Sequence, residues 1–190
     1  KPLGSDEQSI ATFAPRVNGT ELLPLFEAVG ISGIRPLGTV GGEVLLEWPT
    51  NNFDDRRGHA SLDFVPANEV PLQSRAVRPV GSRIGWSYAE RSFAPDSEPW
   101  HFPLGGKIDL RFDPERIDVF SSWIATPLTA VTFDGWTKWG DESRIPFNVM
   151  SADWQESDRL MVAFMTAFNR ATEEFDVGGY GSLSGVMSGE

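Results

Sequence analysis

Proton transfer, nucleophilic attack and metal binding draw on histidine, cysteine and clustered carboxylates, and this chain has two histidines and no cysteine. His59 follows Gly58 at the start of an apparent strand, and His101 stands between Trp100 and Phe102. Neither sits in a motif, and a metal site built on both would need them to converge with carboxylates, so structural roles are expected. Asp109, Asp113, Glu115 and Asp118 are close enough in sequence for paired acid–base work on a glycoside. However, Asp109 and Asp113 alternate with Ile108, Leu110 and Phe112, which is the pattern of a solvated strand face. Glu173-Glu174 and Asp176 lack the spaced loop of a calcium site of the EF-hand kind. Gly181-Ser182-Leu183-Ser184-Gly185 places leucine where a hydrolase elbow needs its serine. Gly178, Gly179 and Gly181 are followed by no Lys-Ser/Thr pair, so they do not make a phosphate loop. The expectation is a protein without catalytic residues, cofactor or metal, whose binding residues the sequence does not assign.

The aromatic residues are the other candidates. Seven Trp and thirteen Phe are enough for a large interior. Trp86, Trp100, Trp123, Trp136, Trp139 and Trp154 would form a sugar platform if several shared one exposed face; packing in cores and interfaces is the commoner use. The formal net charge of -11 works against phosphate neutralisation, so no sequence-specific nucleic-acid surface is expected. Arg56-Arg57 is flanked by Asp54 and Asp55 and reads as a solvated turn. No apolar run approaches the roughly 20 residues of a membrane-spanning helix, and no signal peptide is apparent. Asn18-Gly19-Thr20 fits the glycosylation pattern, which matters only in a secretory compartment.

The elements that would position these residues are mostly strands. Lys107 to Asp113 alternates strictly, with Ile108, Leu110 and Phe112 toward a core. Further strands are expected at Glu43–Trp48, His59–Val65, Arg83–Tyr88, Ile117–Ile124, Leu128–Phe133, Ile145–Met150, Leu160–Phe168 and Phe175–Tyr180. Turn residues separate them, among them Pro49-Thr50-Asn51-Asn52, Asp113-Pro114-Glu115 and Asp134-Gly135. A helix is expected at Thr20–Val29, capped by Thr20 and stopped by Gly30, with Pro24 shortening it. The segment Asp158 to Asn169 fits a helix as well as a buried strand, and periodicity alone does not decide. The fold expected is one all-β domain over residues 1–190, an antiparallel sandwich of jelly-roll type with one or two short helices. Residues 1–20 and 178–190 are expected as extended arms. Residues 1–5, with Pro2-Leu3-Gly4-Ser5, read either as a vector remnant or as native sequence.

Two stretches resemble a known family. Glu98-Pro99-Trp100-His101-Phe102-Pro103-Leu104-Gly105-Gly106-Lys107-Ile108-Asp109-Leu110, followed by Ile117 to Trp123, and the segment Leu160 to Tyr180 are similar to the coat proteins of picorna-like icosahedral RNA viruses, in particular the small coat protein of comovirus-type members. The resemblance covers less than a third of the chain. It implies a jelly-roll capsid subunit located in the virion, with other copies and sister coat proteins as partners. Gly106 to Phe120 also resembles the end of the small accessory barrel of ABC-transporter ATPases. The competing expectation is a monomeric β-sandwich module, exported from a bacterium, that binds a protein or carbohydrate.

Overall fold

The computed structural model describes residues 9–28, 34–67, 100–138, 142–167 and 178–189. Over these residues the chain is antiparallel β with two helices, the class its alternation led us to expect. The strands are β1 (Ile10–Phe13), β2 (Arg16–Glu21), β3 (Ile34–Pro49), β4 (Arg57–Pro66), β5 (Trp100–Pro103), β6 (Gly105–Phe112), β7 (Arg116–Ala125), β8 (Thr129–Lys138), β9 (Ser143–Ser151) and β10 (Gly181–Gly189). The helices are α1 (Leu22–Ala28) and α2 (Trp154–Ala167).

All ten strands join one sheet, in the order β1-β3-β4-β6-β7-β8-β9-β10. β2 shares with β1 one edge of the long β3, and β5 runs parallel to the start of β3. From β6 to β10 every strand pairs with its neighbour in the chain, so this part of the antiparallel fold is a meander. Tight turns dictate this. Asp113 Oδ1 accepts the N–H groups of Glu115 (2.8 Å) and Arg116 (2.9 Å), folding β6 back on β7. At the next turn the Thr126 N–H donates to the Thr129 carbonyl over 2.8 Å, and β8 returns along β7.

Several elements differ from the sequence expectation. Residues 10–13, 16–21 and 181–189 do not extend as arms; they pair into the chain's own sheet. The segment from Leu160 is helix, because Asp153 Oδ1 accepts the Gln155 N–H (3.0 Å) and caps a helix starting at Trp154. α1 begins at Leu22 rather than Thr20, which belongs to β2, and Pro24 sits in its first turn, where a missing N–H is not needed. Asp134-Gly135 is no turn but lies inside β8. Gly135 has φ of +126°, and a Cβ there would run into the Arg144 carbonyl of β9, so the glycine allows close approach of two strands. The expected strand Arg83–Tyr88 and residues 175–177 lie outside the described residues; residues 178–180 precede β10.

Fully buried apolar packing gathers at one end of the sheet. Leu22 of α1, Val40 of β3, Phe102 of β5 and Leu104 form a cluster against which Phe26, Phe64, Ile124 and Leu160 of α2 pack. Elsewhere the strands are only partly covered, a point that bears directly on the site.

Candidate functional site

Strand residues alternate between two faces, and residues paired across strands share a face. The register therefore sorts the whole sheet. One row runs Val44, Ala60, Leu110, Val119, Gly135, Ile145 and Met187 from β3 to β10. The next runs Val40, Phe64, Gly106, Ile124, Val131, Val149 and Leu183. Between them lie Leu62, Ile108, Phe133 and Phe147, with Ser122 at the bulge in β7. Not one charged side chain stands on this face from β3 to β10.

Charges crowd the other face. Glu43, Glu47, His59, Asp63, Lys107, Asp109, Arg111, Arg116, Asp118, Asp134, Lys138 and Arg144 all fall there by the same register. This explains where the candidate residues of the sequence go. His59 is exposed opposite Arg111, and His101 is exposed opposite Arg35 on another strand pair. Asp109 accepts the Ser61 hydroxyl (2.5 Å) and pairs with Lys107 (3.0 Å); these two partners hold its carboxyl below the usual range. Asp118 pairs with Arg116, and Asp113 serves its turn. Asp109, Asp113 and Asp118 thus spend their acceptors on ion pairs, a hydroxyl and a turn, while Glu115 enters the turn through its backbone N–H. Among the described residues no group of three or more His, Asp or Glu is placed to hold a metal. Trp136 has the Arg116 guanidinium (5.8 Å) and the Lys138 ammonium (5.9 Å), register partners of each other, within cation–π distance of its ring. Trp123 is half-buried on the same charged face as Trp136, whereas Trp154 opens α2. Trp86 and Trp139 lie outside the described residues, as do Glu173, Glu174 and Asp176.

Among the described residues the apolar face is incompletely covered. At the closed end Val40 (2% exposed), Pro36 and its register partner Phe102 are fully buried; along the rest of the face Leu110, Phe133, Phe147 and their neighbours are half-buried. At its margins Phe13 of β1 is 56% exposed and Leu183 of β10 52%. With strands about 4.8 Å apart, the eight strands of the sheet path make this face about 34 Å across. Such alternation was legible strand by strand, but the rows appear only once the register is known.

One end of the face is closed by a polar latch. Ser157 of α2 bonds the hydroxyls of Ser151 (2.7 Å) and Thr129 (2.8 Å), which are register partners on β9 and β8. Beside it Glu156, 4% exposed, takes the hydroxyl of Thr126. Burial pushes the Glu156 carboxyl up to about 7, against the Thr126 and Thr129 hydroxyls and the Leu128 N–H, which favour its charged form; the charge of Asp153 pushes it further up. Every one of these donors belongs to the β7–β8 turn, so Glu156 fastens the helix to the sheet. Sequence reasoning missed it. The available signal was Asp153-Trp154-Gln155-Glu156, the spacing of a helix start with an acidic third residue. Among the described residues no helix is long and apolar enough to cross a membrane. Compared with known protein families, curated proteins and solved structures, the chain matches none.

Proposed function

We propose that the chain is a non-catalytic binding module whose apolar sheet face takes the hydrocarbon chain of an amphiphile. The observation that carries this reading is the complete segregation of charge from a half-buried apolar face that runs from β3 to β10. Its central side chains keep partial access to solvent and Phe13, Leu183 and Met187 are exposed at its margins, and apolar surface left accessible in this way is where binding regions are found. A protein partner would bring about one hydrogen bond per 100–200 Å². The face has little to offer it, since the Ser122 hydroxyl already accepts from the Asp109 N–H (3.0 Å) and donates to the Phe120 carbonyl (3.0 Å). An acyl chain asks for no such partner. A bilayer core of about 30 Å holds two chains end to end, so one chain of about 15 Å fits along a row.

The test is a titration with a series of fluorescent acyl probes of increasing chain length. Each added methylene buried is worth about 0.8 kcal/mol, so affinity should rise up to about fourfold per carbon until the face is filled. Leu110→Glu, in the middle of a row, should weaken binding by roughly thirtyfold or more, because it puts a charge among apolar groups. Arg111→Glu, the next residue but on the charged face, should leave binding within about twofold. Circular dichroism would establish that both variants are folded. Binding that is unsaturable, or indifferent to chain length, would rule the reading out.

A second reading, as an assembling shell subunit, rests on the coat-protein likeness and on the exposure of strand β10 at the sheet edge.

A further inference from the structure

We propose that β10 is a self-association strand, through which two copies of the chain pair edge to edge in antiparallel register. β10 hydrogen-bonds to β9 over its whole length, Gly181 opposite Ser151 through Gly189 opposite Ser143. Among the described residues no strand pairs with its other edge.

Natural edge strands are guarded by charge, proline, bulges or shortness. β10 has none of these. Its nine residues, Gly-Ser-Leu-Ser-Gly-Val-Met-Ser-Gly, carry no charge and no proline, and its pairing with β9 shows no register shift. Leu183 (52%), Val186 (52%) and Met187 (50%) are all exposed. The opposite margin of the sheet differs: β2 carries Arg16 and Glu21 and a bulge between Val17 and Thr20, and β1 has only four residues. A head-to-tail stack of copies would therefore join a long open edge to a short guarded one.

A second β10 fits better. Centred on Gly185, an antiparallel pair sets Leu183 of one copy opposite Met187 of the other, twice. Both residues stand on the apolar face, and residues paired across strands share a face, so the apolar faces of the two copies become continuous. The arrangement is a closed two-fold dimer, the commonest form of assembly. It does not depend on what the apolar face binds, because its readout is mass.

Sedimentation velocity should show a reversible monomer–dimer equilibrium within a range up to about 100 μM, the affinity expected for a small interface. The double variant Val186→Lys with Ser188→Lys restores charge to the edge and should weaken dimerisation at least about tenfold. The chain has no cysteine of its own, which permits a positional test. Mixed Leu183→Cys and Met187→Cys chains should form a disulfide-linked heterodimer on mild oxidation, whereas each variant alone should cross-link poorly. A wild-type chain that remains monomeric at about 100 μM overturns the proposal. So does a dimer indifferent to the lysines, or cross-linking without preference for the mixed pair.

Discussion

Phe102→Ala should lower the unfolding free energy by about 3 to 5 kcal/mol, the range for emptying a buried aromatic site. Phe102 is 3% exposed and packs in the cluster of Leu22, Val40 and Leu104. Its strand β5 meets β3 in a parallel pair of four positions, Ile34 opposite Trp100 through Leu37 opposite Pro103. So short a ladder gives β5 little hold, and the side chain must supply much of it. The same cluster receives α1 through Leu22 and Phe26 and α2 through Leu160, so one cavity loosens three elements. For a chain of this length the loss corresponds to a fall in Tm of about 10 °C. Phe120→Ala is the control: Phe120 is 49% exposed on β7, and its removal should cost less than about 1 kcal/mol. Urea unfolding of the two variants would measure both. If Phe102→Ala cost no more than Phe120→Ala, the closed end of the sheet would not be the stabilising centre of the fold.

What could be read in the sequence follows from what alternation encodes. Strict alternation in Lys107 to Asp113 located β6 and the inward side of Ile108, Leu110 and Phe112, because a strand has period two and nothing else there competes. It does not encode which strands are neighbours; that β6 and β7 pair is seen only once the turn at Asp113 is in place. Nor does it say how completely a face is covered. Ile108 and Leu110 read as core residues, and the structure leaves them half-buried on the face that forms the candidate site. β10 was invisible for another reason. Six of its nine residues are serine or glycine, which carry little β-preference, and its strand character comes from pairing with β9. The glycine of Asp134-Gly135 misled in the opposite sense: glycine serves turns and close strand approach alike, and here it serves the second. Glu156 was hidden because its partners, Thr126 and Thr129, lie about thirty residues away in the chain and meet it only through the fold.

Stability should fall as pH rises from about 4.5 to 7, and Glu156→Gln should abolish that fall. In the unfolded chain the Glu156 carboxyl titrates near its ordinary value of 4.5, and in the folded chain near about 7. Between these values the folded state binds more protons than the unfolded state, so the unfolding free energy decreases with pH. The stability linked to the protonated form is fully present below about 4.5 and is lost as the pH passes through about 7. The difference amounts to about 3 kcal/mol at most, to an order of magnitude. Asp109 acts in a separate window and with the opposite sign: its carboxyl is lowered, first by the Ser61 hydroxyl and then by Lys107, so its contribution is lost as pH falls into the acid range. The two effects are therefore separable in one profile of Tm against pH. Glutamine keeps the size of glutamate and an acceptor for the Thr126 hydroxyl and the Leu128 N–H, but carries no charge to desolvate. Glu156→Gln should accordingly be flat from pH 5 to 8 and more stable than the wild type at pH 8. Glu156→Ala should be less stable at every pH, because it removes the buried group that ties the Thr126 hydroxyl to α2 and empties the space that it fills. Since these groups fasten α2 to the β7–β8 turn, the loss should appear first as faster amide exchange in α2. A Glu156→Gln profile that kept the wild-type slope would assign the titration to another group and remove Glu156 from the latch.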